Sequence, residues 1–187
     1  MSMKMEFLLK AIEEVQETNR FLDTKAGVVV VFESSLLVMV ATSLMDKSVL
    51  ELVSSIAQST SKGYFIFLVI YIAFYLAALI GHILHTLKVI FPQEAPNQHV
   101  DIAEFEPQNL FYLYQLNKKD IIQPSVMKYS EKLSEMDSDD IINELIYELM
   151  KLSYIRKKKN DRLAFSYRFL GILIVSLVLF GILIAVS

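Results

Sequence analysis

The sequence contains no cysteine, and it has few residues that interrupt helices, with only five glycines and four prolines in 187 residues. The absence of cysteine excludes disulfides, thiolate metal ligands and cysteine nucleophiles. Scarce glycine and proline favour long helices over a β fold rich in turns. The formal net charge of −3 at pH 7 excludes a broadly basic nucleic-acid binder. The sequence also lacks a glycine-rich phosphate loop, a zinc signature and a hydrolase motif, so we predict no enzyme activity, no cofactor and no catalytic residues.

Apolar residues are the main component of the sequence and make up 54% of it. Three runs approach the ~20 residues that cross a hydrocarbon layer ~30 Å thick. They are Gly27 to Leu44, Tyr64 to Leu84 and Phe169 to Val186, and only the first contains a charged residue, Glu33. A chain of this size has too little other mass to surround the last two runs as core helices. We therefore predict an all-α membrane protein with three transmembrane helices.

The remaining segments form a small, mainly helical cytoplasmic module. The predicted organisation is a cytoplasmic N-terminal helix at 1–26, spans at 27–45, 63–90 and 166–187, an external loop at 46–62, and a sensor module with a stalk at 91–165. Residues 1–25 contain four lysines and arginines and residues 85–168 contain twelve, whereas the connection at 46–62 contains two. With three spans, residues 1–25 and 85–168 lie on the same side of the membrane. By the positive-inside tendency, that side is the cytoplasm of a cell with this protein in its inner membrane, and the C-terminus lies outside.

Local patterns predict the elements of the cytoplasmic part. Apolar residues recur every three or four positions from 5 to 26, and no glycine or proline separates this helix from the first span. The aromatic segment 109–116 is short enough for one strand. Pro124 would open a helix over 125–136, and Asp137 or Ser138 would cap the next. That last helix continues for about 48 residues, or roughly 70 Å, into the third span. As a stalk it would transmit a cytoplasmic event or would only anchor the module.

Glu33 is the most informative single residue, because an acid inside a span costs a few kcal/mol and usually faces protein or water. It would line a pore or proton path, or it would contact a neighbouring helix; we favour the second. His82 and His85 lie three residues apart near the end of the second span. We favour packing for both over a metal site, which would need more ligands.

Small residues recur every four positions in the second span, at Ala73, Ala77 and Gly81. Such a stripe lets helices approach closely. It predicts self-association in the membrane, with chance spacing as the alternative.

The order of these pieces is distinctive. A helix ending in NRFLDTKAG and two spans precede LFYLYQL, a KYSEKL helix and ELIYELMKLSYIRKKKNDRL, which leads into the final span. Over nearly the whole chain this resembles the transmembrane effectors of Pycsar, the pyrimidine cyclase system for antiphage resistance. The residues that carry the resemblance most specifically are Asn19, Asp23, Lys25 and Ala26, then Ser153, Ile155 and Lys158, with Tyr112 and Tyr129 matching aromatic positions. Glu148 stands where the family pattern has glutamine.

The resemblance implies a function in antiviral defence. A partner cyclase would make cyclic CMP or cyclic UMP, the effector would bind it, and the inner membrane would lose integrity, as in abortive infection. The implied ligand-binding residues are Asn19, Asp23, Lys25, Tyr112, Tyr129, Ser153 and Lys158. Membrane lipids and further copies of the chain would be the other partners. Two alternatives stay open: a related effector gated by a cyclic oligonucleotide, and a membrane scaffold that binds no ligand.

Overall fold

The computed structural model describes most of the chain. The described residues are 3–45, 51, 62–91, 96–103, 105–107, 115–116, 122–123 and 125–186. The predicted contact residue Tyr112 and most of the predicted strand at 109–116 lie outside them.

Long α-helices make up nearly all of the described chain. They are α1 (Met3–Met45), α2 (Lys62–Ile90), α3 (Val126–Glu135) and α4 (Ser138–Val186). A short 3-10 helix occupies Pro96–His99, and two strands of two residues, β1 (Gln115–Leu116) and β2 (Ile122–Gln123), pair antiparallel. The helices α1, α2 and α4 are each long and apolar enough to cross a membrane. The predicted fold class, a mainly helical protein with three such helices, is confirmed.

Side-chain caps start the last two helices. The Asp137 carboxylate accepts hydrogen bonds from the backbone N–H groups of Asp139 and Asp140, both at 2.8 Å, and so satisfies two donors of the first turn of α4. Asp137 is therefore the cap, and Ser138 is the first helical residue. In α3, the Ser125 hydroxyl accepts from the N–H of Lys128 at 3.4 Å. The long helix α4 then continues without interruption, as its lack of proline predicts.

The described contacts divide the chain into two compact units. The first unit comprises Met1–Arg20 with Gln93–Lys157, and the second comprises Phe21–Pro92 with Lys158–Ser187. In the first unit, Leu8, Ile12 and Val15 of α1 pack against α4 residues that include Leu145 and Leu152. The second unit has two apolar clusters, which are Leu22, Ala26, Val29, Val89 and Leu163, and Tyr75, Leu79 and Leu173.

Buried positions on the long helices repeat with a period of seven residues. On α1 they alternate at steps of four and three: Leu8, Ile12, Val15, Asn19, Leu22, Ala26, Val29 and Glu33. On α4 they include Leu145, Leu152, Lys159, Ser166 and Leu173. A seven-residue repeat is the pattern of helices that pack knobs into holes. The buried row on each helix also contains polar residues. Phe7 and Phe21, which also fit an apolar pattern in the sequence, are exposed.

Candidate functional site

Glu33 of α1 and His82 of α2 form a buried contact within the second unit. The Glu33 side chain is fully buried and that of His82 is 1% exposed, and Oε1 of Glu33 lies 2.5 Å from Nδ1 of His82. The two atoms are within ion-pair distance, but their angles are not those of a hydrogen bond, and neither has a hydrogen-bond partner among the described residues. An acid and an imidazole therefore meet in the apolar part of the chain.

Other polar and aromatic groups of α2 and α4 surround this contact. The His82 ring stacks on Phe169 with 4.9 Å between ring centroids, and His85 meets Phe165 edge-on at the same separation. One turn from His82, the Thr86 hydroxyl lies 3.1 Å from the Ser166 hydroxyl and is fully buried. All three spanning helices thus contribute polar side chains to one buried layer. No group of three or more potential metal ligands occurs in the part of the chain that the structure describes.

A second polar contact joins α1 to α4. Nζ of Lys159 lies 2.5 Å from a carboxylate oxygen of Asp23, and the Lys159 side chain is 9% exposed against 34% for Asp23. Nearby, the guanidinium of Arg162 donates a hydrogen bond of 2.9 Å to the carbonyl oxygen of Lys88 on α2. The sequence points to Lys158 as the cation of this region, whereas Lys159 is the buried one. In the sequence, the spacing of seven residues from Leu152 to Lys159 was the signal for the burial of Lys159.

In the first unit, Asn19 reaches α4. Its Nδ2 donates a hydrogen bond of 3.5 Å to the carbonyl oxygen of Leu152, while its Oδ1 is buried and has no hydrogen-bond partner among the described residues. A buried amide oxygen without a partner costs free energy on the order of 1–3 kcal/mol. Asparagine at position 19 therefore lowers the stability of the fold if its side chain serves only for packing.

A buried charged cluster on α4 lies beside this contact. Nζ of Lys151 is 2.7 Å from Oε2 of Glu148 and 4.5 Å from the centre of the Tyr147 ring. Glu144, one turn earlier, is 1% exposed. Burial raises the pKa of the Tyr147 hydroxyl, and the carboxylates of Glu144 and Glu148 raise that pKa further. In the sequence, Glu148 stands out only as a departure from the family pattern, and the cluster was not predicted.

A polar groove of about 410 Å³ in the first unit shares Glu144 with this cluster. Four carboxylates and one ammonium group line it, together with two apolar side chains: Glu106, Glu135, Asp140, Glu144, Lys132, Phe105 and Met136. The excess of negative charge opposes binding of a nucleotide phosphate. Although the volume would suit a mononucleotide, the charge makes this groove a poor candidate for one.

The predicted ligand residues fall at different places. Asn19 is buried and Asp23 is paired with Lys159, whereas Lys25 is exposed with its Nζ 4.3 Å from the centre of the Phe21 ring. Ser153 follows Leu152, which Asn19 contacts, and is half-buried; Tyr129 is half-buried on α3; Lys158 is exposed. Within the first unit, then, the fold brings Asn19 to the turn of α4 that carries Ser153. The three small residues Ala73, Ala77 and Gly81 are exposed on α2.

The comparisons with known proteins identify one family. The family model PycTM, the Pycsar effector protein domain, matches residues 7–187 of the chain. No curated protein and no solved structure matches the chain.

Proposed function

Since this chain belongs to the Pycsar effector family and is a transmembrane effector of that antiphage system, we propose that it senses a cyclic pyrimidine mononucleotide and then disrupts the inner membrane. The signal would be cyclic CMP or cyclic UMP from a partner cyclase. The N-terminus and residues 91–165 would face the cytoplasm, where the nucleotide is made, and the outcome would be growth arrest or cell death.

The buried contact of Glu33 with His82 is the observation that carries this proposal. A carboxylate and an imidazole inside membrane-spanning helices are costly unless they are paired or hydrated. While the helices are packed, each group covers the other. If the helices separated, both groups would need water, and a water-filled path across the apolar layer would satisfy them. The pair therefore supports a path through the membrane that is closed while the helices are packed and conducts ions when they separate.

Asn19 supports recognition of the nucleotide in the first unit. A cyclic mononucleotide offers a phosphate anion, a ribose hydroxyl and a pyrimidine edge with N–H donors. The buried Oδ1 of Asn19 has no hydrogen-bond partner within the described chain, and such a donor would satisfy it. Ser153 supplies a hydroxyl on the adjoining turn of α4. The sequence separately predicts Lys25 and Lys158 as phosphate contacts and Tyr112 and Tyr129 as aromatic contacts, and these assignments remain predictions.

Subunit association would complete the membrane lesion. The exposed positions of Ala73, Ala77 and Gly81 leave this face of α2 accessible, and a Cβ added at Gly81 would meet no atom within 4 Å. Close packing of helices from separate copies through small residues is a common arrangement in membranes. We propose that copies of the chain associate through this face.

The decisive experiment measures membrane potential in cells that produce the protein with an active cyclase or with an inactive one. We expect depolarisation only with the active enzyme, loss of it in Glu33→Leu, and a response like wild type in Glu13→Gln, because Glu13 is exposed on the same helix. Membrane fractions would establish equal amounts of each variant. Full depolarisation by Glu33→Leu would remove Glu33 from the mechanism. An unchanged potential for the wild type with both nucleotides would refute the proposed function.

Ligand recognition is tested separately by direct binding of cyclic CMP and cyclic UMP to the purified full chain in vesicles. Asn19→Ala should weaken binding about tenfold or more, since it removes one buried hydrogen-bonding group. Asn160→Ala is the matched control, because Asn160 is exposed on α4. Equal affinities for the wild type and Asn19→Ala would exclude Asn19 from the site.

A further inference from the structure

The second unit contains an apolar groove of about 730 Å³ lined by residues of α2 and α4. Most of the residues that line it are apolar, and they include Phe67, Ile172, Val175, Leu179 and Phe180. The polar groups at its wall satisfy each other, because the Tyr71 hydroxyl donates a hydrogen bond of 2.9 Å to the carbonyl oxygen of Ser176. The Tyr71 ring also stacks on Phe180 with 4.1 Å between centroids. The groove therefore presents a fixed, apolar surface.

One end of the groove carries a positive charge. Arg168 is the charged residue among those that line it, and it immediately precedes the uncharged run that begins at Phe169. Its side chain is exposed and makes no hydrogen bond or ion pair with the described residues. The guanidinium thus lies at the boundary of the membrane-spanning segment with all its donors available.

The dimensions of the groove match one leaflet of a bilayer. The helix rises roughly 16 Å between Arg168 and Leu179, which is about half of a hydrocarbon layer ~30 Å thick. Gly171 lies one turn beyond Arg168 and leaves the groove open there, because a Cβ at this position would meet no atom within 4 Å. An acyl chain could enter beside the guanidinium and extend to the middle of the membrane.

From this arrangement we propose that the groove binds one anionic phospholipid, with its phosphate on Arg168 and an acyl chain along the apolar wall. A guanidinium matches the geometry of phosphate oxygens, and basic pockets between spanning helices bind anionic headgroups. A second copy of the chain fits less well. In a symmetric contact through this face, Arg168 would meet an apolar wall or another Arg168, since no carboxylate occurs among the described residues that line the groove. The inference does not depend on the proposed response to a nucleotide.

A single fluorescent reporter tests the proposal. The sequence contains no tryptophan, so Phe67→Trp places one in the wall of the groove of the otherwise intact chain. Its fluorescence is measured in vesicles that mix ordinary lipid with phosphatidylglycerol or phosphatidylcholine brominated on the acyl chains. We expect the anionic lipid to bind about fivefold more tightly, the effect of one basic residue at a membrane surface. With Arg168→Gln the two lipids should bind equally.

Matched variants separate this site from general effects. Gly171→Leu should fill the groove and reduce quenching by both lipids at least twofold, whereas Gly181→Leu should not, because Gly181 also has open space but does not line the groove. Arg156→Gln removes an exposed charge from the same helix and should preserve the preference. Equal affinity for both lipids in the reporter chain, or an unchanged preference in Arg168→Gln, would overturn the proposal. Weak quenching by both lipids, together with dimers cross-linked through residues that line the groove, would assign the groove to a second copy instead.

Discussion

Replacing Lys151 by methionine should strongly destabilise the first unit, although methionine is apolar and similar in length. The ammonium of Lys151 lies 2.7 Å from Glu148, with the two side chains 1% and 5% exposed. At an effective dielectric constant of about 20, charges this close attract by about 6 kcal/mol. Removing each of them from water costs several kcal/mol, so the intact pair contributes little net stability. Removing the cation alone leaves Glu148 and Glu144 buried as neighbouring acids, at a cost of about 3 kcal/mol or more.

Hydrogen exchange of the full chain in vesicles measures this change locally. A loss of about 3 kcal/mol corresponds to roughly 150-fold faster exchange of backbone amides that exchange by opening of this region. Peptides covering residues 141–152 should show it. The double variant Lys151→Met with Glu148→Leu should exchange within about tenfold of the wild type, because an apolar pair replaces a charged pair. Lys128→Met is the control, since Lys128 is exposed on α3.

The difference between the single and the double variant separates the effect of the unpaired charge from that of packing. If Lys151→Met exchanges as slowly as the wild type, the ammonium does not neutralise the buried acids. If the double variant exchanges as fast as the single one, the loss comes from packing around position 151 and not from the unpaired charge. Either result would refute the assignment of Lys151 as the cation that holds this cluster together.

Two further predictions concern titration and pairing. Burial and the carboxylates of Glu144 and Glu148 raise the pKa of Tyr147 in the folded chain, so the unfolded chain loses this proton at lower pH. The contribution of Tyr147 to the free energy of unfolding is therefore complete below about pH 10 and falls as pH rises towards the higher folded pKa. Tyr147→Phe should therefore lose less stability than the wild type between pH 9 and 11 in denaturant unfolding, and parallel curves would contradict this. Asp23→Lys should lower the thermal unfolding temperature through its contact with Lys159, by the equivalent of about 1–2 kcal/mol because Asp23 is partly exposed. Adding Lys159→Asp should recover at least half of the loss, whereas no recovery would show that the two side chains do not interact.

Asp23 illustrates how far a residue pattern reaches. The pattern around Asn19 and Asp23 is enough to indicate the family, which the match over residues 7–187 shows. It says nothing about what Asp23 contacts. In the fold its carboxylate meets Lys159, so a ligand would have to displace that ammonium or bind beside it. The assignment of Asp23 to a ligand site remains a prediction.

The sequence alone determined the long helices and the three spans, because these depend on properties that act locally. A predominantly apolar run of about 20 residues is long enough to cross the hydrocarbon layer, and the caps at Ser125 and Asp137 act on N–H groups within the next three residues. The absence of proline from α4 is equally local. Each segment therefore carries the information for its own helix, without a partner helix.

Only the tertiary structure decided which polar groups meet. Glu33 is 49 positions from His82, and Asn19 is 133 positions from the Leu152 carbonyl that it contacts. Neighbouring residues on a helix point about 100° apart, so one position separates exposed Lys158 from buried Lys159. The seven-residue spacing from Leu152 to Lys159 is visible in the sequence, but only the packing of the helices against each other shows that this row of residues is the buried one. For this reason the spans followed from composition, while the buried contacts between them came from the fold.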